Sequence, residues 1–250
     1  MKIPVTPVGL LVVSSSRHAE QEIQEIALAG RISLGTSYRR RRLDRDLTNA
    51  SAQLDGLVLD LGGEILNRRG SFCPPEQPTL SWVCINLDPA AMPDIVADIA
   101  RVPVASASAG TVVCTEVLEH VWGPESVLSE AHRLLQAEGR FIGSMPFLVR
   151  LHADPHDFQR YTDIKLERLL QEAGFTQIHI ERQGGYFLVL ADIVRAGIVR
   201  LRPALLRWTV ELLLLPLLGI LRALDSRSST HHSQFLSSFT TGYMISAVKR

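Results

Sequence analysis

Three groups of polar residues in this 250-residue chain have the types and spacing to do chemistry. The first joins Asp60, Gly62 and Gly63 to Asp88 and Asp98. Glycines directly after an apolar run let backbone come close to a ligand, because no Cβ stands in the way. A carboxylate ending the next apolar run can accept both hydroxyls of a ribose. The second group is Thr115, Glu116, Glu119 and His120. Glu116 and Glu119 or His120 share a face at helical spacing, and with His156 they form an oxygen- and nitrogen-rich set able to hold a divalent ion. The third is Leu151-His152-Ala153-Asp154-Pro155-His156-Asp157, with Arg160 and Tyr161 beyond it. His156, then His152, with Asp157 beside them, are candidate general bases. Arg160 and Tyr161 suit the positioning of an anionic or sugar acceptor. Each feature also has an ordinary structural use: a tight turn at Gly62-Gly63, helix caps at Asp88 and Asp98, loop-stabilising histidines, a core tyrosine.

These residues need elements to hold them. The apolar run 57–61, bounded by Gly56 and Gly62, reads as a buried parallel strand. Runs 82–87, 111–114, 140–144, 177–182 and 241–248 read as further strands, and 94–99 as extended or a short strand. Helical spacing marks 18–29, 43–54 and 124–136. A fourth helix, 163–173, starts at Thr162 or Asp163 and stops at Gly174. Pro74, Pro75 and Pro78 leave no long helix over 67–78. Alternating strands and helices predict an α/β fold, a largely parallel sheet with helices on both faces.

In such a sheet a ligand lies at the carboxyl ends of the strands, near the switch point. Asp88 would meet a ribose there. Asp98 would accept from an adenine amino group, with the Ile99 amide nearby. A dinucleotide would need G-x-G-x-x-G before a helix. The turn here reads Gly62-Gly63-Glu64-Ile65-Leu66-Asn67, which lacks that pattern.

Lys+Arg and Asp+Glu both number 26, so the formal net charge is zero. A neutral protein has no global field to gather nucleic acid, which argues against a dedicated DNA or RNA binder. The basic run Arg39-Arg40-Arg41-Arg42 reads as a solvated face. Cys73, Cys84 and Cys114 show no metal or redox spacing and fit a reducing compartment. No signal-peptide pattern is read at the N-terminus, so a cytoplasmic location is expected.

From Leu57 to about Phe175 the chain resembles the class I S-adenosylmethionine-dependent methyltransferases. The type 11-like bacterial group of glycan and lipid-conjugate pathways is the most similar. The resemblance rests on Val58-Leu59-Asp60-Leu61-Gly62-Gly63, Asn86-Leu87-Asp88, Val96-Ala97-Asp98-Ile99 and Glu116-Val117-Leu118-Glu119-His120-Val121. It continues through Glu130-Ala131-His132-Arg133-Leu134-Leu135, Pro155-His156-Asp157-Phe158-Gln159-Arg160-Tyr161-Thr162, Glu172-Ala173-Gly174-Phe175 and Gly242-Tyr243-Met244-Ile245-Ser246-Ala247. Three departures stand out: Glu64 replaces a common glycine, the proline-rich stretch after it leaves little room for the first helix, and Ala137-Glu138-Gly139 replaces a Pro-Gly-Gly turn. The resemblance implies a Rossmann-like seven-stranded sheet and S-adenosylmethionine held by Asp60, Gly62, Gly63, Asp88, Asp98, Ile99, Thr115 and Glu116. Thr115 and Glu116 would lie by the methionine part. The set Glu116, Glu119, His120 and His156 is similar to positions that hold magnesium or a related ion in small-RNA 3′-terminal methyltransferases and ubiquinone-pathway O-methyltransferases.

The expected organisation has three parts: an N-terminal helical segment over 1–55, a cofactor domain over 56–183 and 240–250, and a hydrophobic helical insert over 184–239. The insert interleaves leucines with Arg195, Arg200, Arg202, Arg207 and Arg222. Its longest uncharged run, 212–221, is shorter than the roughly 20 residues of a span. It reads as two helices that serve as a cap, a homodimer contact, or a peripheral contact through 184–225 on the inner face of the cytoplasmic membrane. The expected function is O-methylation of a small or lipid-linked acceptor. The rivals are a cofactor-free partner protein at the membrane and a metal-assisted RNA methyltransferase.

Overall fold

The computed structural model describes residues 36–52, 54–65, 70–152 and 155–250. The helix expected over 18–29 lies outside them. The first described helix, α1 (Tyr38–Ser51), is followed by β1 (Gly56–Leu61), β2 (Leu80–Asn86), β3 (Ile95–Val96) and β4 (Ala109–Thr115). Then come α2 (Pro124–Leu134), β5 (Leu135–Pro146), α3 (Asp163–Glu172) and β6 (Phe175–Arg182). Helices α4 (Tyr186–Ile198), α5 (Ala204–Asp225) and the short α6 (Ser228–His232) precede β7 (Gly242–Lys249).

The seven strands form one sheet in the order β3-β2-β1-β4-β5-β7-β6. The first five are parallel, and β7 runs antiparallel between β5 and β6. Alternation along each strand sends side chains to opposite faces. Leu59, Leu61, Val83, Ile85, Val112 and Cys114 face α2 and α3, where Val127, Leu128, Leu134, Leu166 and Leu169 close one core. Val58, Trp82, Cys84 and Val113 face the other way and pack on Leu43 and Leu47 of α1. Helices therefore cover both faces, as the strand–helix alternation predicts.

Three local expectations need correction. Helix α1 begins at Tyr38, five residues before the expected start, because the Ser37 hydroxyl accepts from the Arg40 N–H at 3.0 Å and caps it. The basic run therefore lies inside a helix, and Arg39 is 4% exposed rather than solvated. Helix α2 ends at Leu134 and the chain enters β5 at once. Residues 136–139 of β5 stand opposite Gly110 alone of β4, between the pairs Ala109↔Leu135 and Thr111↔Arg140, with Glu138 at φ 60°. That bulge occupies the altered Ala137-Glu138-Gly139 turn.

The insert is tied down by carboxylates at helix starts. Asp225 of α5 accepts from the Gly185 and Leu188 N–H groups at the beginning of α4. Asp192 of α4 accepts from the Tyr38 and Arg39 N–H groups at the beginning of α1, at 2.7 and 2.9 Å. Each satisfies donors a helix leaves open and complements its dipole.

Candidate functional site

Strand register brings the first group of residues to one edge. Asn86 pairs with Val96, so Asp88 and Asp98 each follow their parallel strand by two residues, side by side. Leu61 pairs with Ile85, and Asp60 with Val113, which sets Gly62 level with Thr115 across β1 and β4. The sheet order reverses between those two strands, so this is the switch point.

The glycine turn is held from below. Gly62 adopts φ +79°, and a Cβ there would run into the Val117 side chain. A Cβ on Gly63 would lie 2.5 Å from Asp60 Oδ2. Asn86 Nδ2 donates to the Gly62 and Gly63 carbonyls at 3.4 and 3.0 Å. Asp60 accepts from Trp82 Nε1 at 3.1 Å, which anchors its carboxylate beneath the turn. Asp88 is exposed and accepts from the Ala90 N–H at 2.9 Å through one oxygen. Asp98 is exposed as well and accepts from the Ala100 N–H at 2.9 Å. Both are thus caps and rim carboxylates at once. Ile99 packs partly against the main core. An exposed Leu87 next to Asp88 adds an apolar surface. A ribose acceptor, an apolar rim and a glycine cradle are the groups a nucleoside cofactor requires, so these residues fit S-adenosylmethionine.

Glu116, just past β4, is engaged from within the protein. Arg39 Nη2 donates to its Oε1, and Ser144 Oγ donates to the same oxygen at 2.8 Å. Arg39 Nη1 donates to Gln183 Oε1 at 3.0 Å, and Gln183 Nε2 donates to Asp46 Oδ2 at 2.8 Å. Burial pushes the Glu116 carboxyl up, but the Arg39 guanidinium and the Ser144 hydroxyl outweigh it and hold it below its ordinary value. Glu116 is therefore a carboxylate paired with α1 and stands apart from the expected metal set.

Three residues after it the environment inverts. Glu119 is 0% exposed, and neither carboxyl oxygen has a hydrogen-bond partner. Burial, then the negative field of Glu116, push it up to about 8. Two imidazoles face it: His120 Nε2 lies 3.6 Å and His152 Nε2 3.9 Å from Glu119 Oε1. His120 Nδ1 donates to the His156 carbonyl at 2.5 Å. A carbonyl only accepts, so the proton sits on Nδ1 and the Nε2 lone pair is left facing Glu119. His152 is set likewise, with Nδ1 3.3 Å from the Arg150 carbonyl and 3.5 Å from Asp157 Oδ2. Burial holds the His152 imidazole below its ordinary value. The ligating atoms of Glu119, His120 and His152 all lie within 4.8 Å of one another.

The loop over this cluster is stitched to it. The Phe158 N–H donates to the Glu119 carbonyl at 2.8 Å. Gln159 Nε2 donates to the Leu118 and Val121 carbonyls at 2.9 and 2.7 Å. Arg160 forks onto Asp157, with Nη2 2.7 Å from Oδ2. That ion pair holds the Asp157 carboxyl at about 2. Tyr161 donates to Gln159 Oε1 at 2.7 Å. The structure thus gathers Glu119, His120, His152, Asp157 and Arg160. It places His156 outside the cluster, exposed, with its ring against Phe158. Arg39, Ser144, Asn86, Gln159 and Gln183 were not picked out from the sequence. Their partners are distant in the chain, and only Asn86, one residue before Leu87-Asp88, carried a local signal.

Comparison with known proteins agrees with the fold. Residues 78–143 match the model of the methyltransferase domain family. No curated protein matches the sequence. Among solved structures, an S-adenosylmethionine-dependent methyltransferase from Archaeoglobus fulgidus is 12% identical, with a TM-score of 0.50 over 84% of this chain and 94% of that one. A phosphoethanolamine N-methyltransferase 2 from Haemonchus contortus, bound to phosphomonomethylethanolamine and S-adenosylhomocysteine, is also 12% identical, with a TM-score of 0.50. The match covers 83% of this chain, which spans about half that enzyme, 52% of it. At such identity the likeness concerns the fold.

Proposed function

We propose that the chain is a class I S-adenosylmethionine-dependent methyltransferase that methylates an oxygen of a small or lipid-linked acceptor, with His152 as the general base. The observation that carries the reading is the alignment of the Gly62-Gly63 turn, Asp88, Asp98 and Thr115 on one carboxyl edge beside the His152 cluster. Bound at that edge, S-adenosylmethionine supplies an electrophilic methyl group for direct displacement. Asp88 accepts the ribose hydroxyls, and Asp98 with the Ile99 amide receives the adenine. The Gly62-Gly63 backbone and Thr115 line the approach to the methionine half, and Asp60 supports the turn from beneath. Much of the rate comes from alignment, and a base is needed only when the acceptor must lose a proton.

His152 suits that task better than His156. Its Nδ1–H is held by the Arg150 carbonyl and Asp157, so Nε2 presents a lone pair. Its lowered proton affinity keeps it neutral near pH 7. Asp157 positions the imidazole and Arg160 positions Asp157, while Tyr161 braces the loop through Gln159. The test is transfer of labelled methyl to hydroxyl acceptors, beginning with lipid-linked sugars. Label on an amine or on carbon, with none on oxygen, would overturn the O-methylation reading.

A second reading is favoured by one observation, the two unpartnered oxygens of buried Glu119. Glu119 with His120 and His152 could hold a divalent ion, since one carboxylate and two imidazoles suit zinc, manganese or iron. The second layer fits too, because each imidazole donates from Nδ1 to an acceptor behind it. Glu116 is committed to Arg39 and His156 contributes its carbonyl, so the set differs from the one expected from the sequence. Metal analysis of the purified protein decides between the two: a stoichiometric ion lost in Glu119→Gln supports the ion. Full activity in chelator with no bound metal leaves His152 as a base.

A further inference from the structure

Helix α5 is amphipathic in the reverse sense. Its buried stripe is Glu211, Leu218, Leu221 and Asp225, which includes two carboxylates. Its outer face is apolar: Leu205 is 75% exposed, Leu212 70% and Leu213 76%, with Trp208 and Ile220 also open. Leu190 and Ile193 of α4 and Phe235 add to the uncovered apolar surface. A water-facing helix normally shows the opposite distribution, and exposed apolar patches of this extent mark interaction sites.

The charges around the face identify its partner. The insert has three acidic residues, Asp192, Glu211 and Asp225. All three are turned inward: Asp192 and Asp225 onto helix N-termini, and Glu211 into the buried stripe. Of its arginines, Arg195 is buried, whereas Arg200, Arg202, Arg222 and Arg227 are exposed and Arg207 is half-exposed. The outward surface is therefore leucine and arginine without a carboxylate. The cations gather just before the start of α5 and at its end, flanking the leucines.

We propose that α5 lies flat in the surface of an anionic lipid bilayer, with its leucine face among the acyl chains and its arginines at the headgroups. A second copy of the chain fits this surface poorly, because pairing would bring two sets of arginines together with no carboxylate between them. The 22-residue helix is long and apolar enough to cross a membrane by composition. Crossing would require stripping α5 from α4 and exposing Glu211 and Asp225 to hydrocarbon. Lying flat keeps both in their present contacts. The docked helix would connect to the site through Asp225, α4, Asp192 and α1 to the Arg39–Glu116 pair.

The test is co-sedimentation of the full chain with vesicles of phosphatidylcholine alone, or of equimolar phosphatidylcholine and phosphatidylglycerol. Binding to the anionic vesicles that weakens with salt is expected. Leu212→Glu with Leu213→Glu is expected to lower it about tenfold or more. Arg200→Gln and Arg202→Gln are expected to lower it about fivefold per cation removed. All four positions are at the surface, and circular dichroism confirms that the variants fold. No binding to either vesicle overturns the proposal, as does equal binding to both. A dimer dispersed by Leu213→Glu without vesicle binding points to self-association instead. Retention after an alkaline wash, released only by detergent, points to a span. Vesicle binding and cofactor binding are read separately, so either can fail alone.

Discussion

Replacing Glu119 by glutamine should remove a pH-dependent strain on the fold. In the folded protein Glu119 keeps its proton up to about pH 8. Unfolded, a glutamate releases its proton near about pH 4.3. Between those values the native state holds more protons than the unfolded state, so stability falls as pH rises. The limiting slope for one such group is about 1.4 kcal/mol per pH unit. Above about pH 8 the loss is complete and the slope vanishes. Relaxation and hydration around the ionised carboxyl keep the effect below that limit. We therefore expect wild type to lose about 1 kcal/mol per pH unit relative to Glu119→Gln. From about pH 5.5 to about pH 7.5 the difference should reach about 2 kcal/mol. Urea unfolding of both proteins in chelator measures it, with the slope of the transition held as a check on two-state behaviour. Parallel stability curves over that range would refute the assignment of Glu119 as a buried, proton-holding carboxyl.

Four further outcomes follow from the same geometry. Arg39→Met leaves the half-buried Glu116 without its cation and should cost about 1.5–3 kcal/mol of stability by denaturant titration, with part regained in Arg39→Met/Glu116→Gln. A loss under about 1 kcal/mol would show the pair to be ornamental. His152→Ala should slow methyl transfer about a hundredfold while leaving cofactor affinity intact, and His156→Ala should stay within a few-fold of wild type. Because His152 must be neutral to act and burial lowers its proton affinity, the acid limb of the rate profile should fall below about pH 6.5; a limb above that value contradicts the role. Asp88→Ala should weaken S-adenosylmethionine binding by about 1.5–3 kcal/mol, roughly ten- to a hundredfold, and unchanged affinity in a folded variant removes the ribose assignment.

What the chain disclosed without coordinates was mainly local. Gly62, Asp88, Asp98 and Thr115 follow apolar runs, and strand register alone sets them along one edge. What it withheld depends on distant partners. The run Arg39-Arg40-Arg41-Arg42 reads as hydrated because Arg40 and Arg42 find Asp44 and Asp46 one turn on, while the partners of Arg39 are distant. Glu116 and Gln183, far along the chain, are what make burial of Arg39 tolerable. The choice between His152 and His156 was likewise invisible, since both stand in one loop. The proposal favours His152 because its ring lies 3.9 Å from Glu119 Oε1, whereas the His156 ring is exposed against Phe158. The two long helices of the insert were legible from its leucines, and the short α6 was not. That its three carboxylates face inward was not, because helical spacing gives a face but not which face is covered.

The central claim is that the carboxyl edge of β1, β2, β3 and β4 holds S-adenosylmethionine. Calorimetric titration of the purified chain with S-adenosylmethionine and S-adenosylhomocysteine tests it most directly. Saturable binding of both at one site per chain, weakened in Asp88→Ala, is expected. A folded protein that binds neither would contradict it, and the chain would then be a methyltransferase fold without its cofactor.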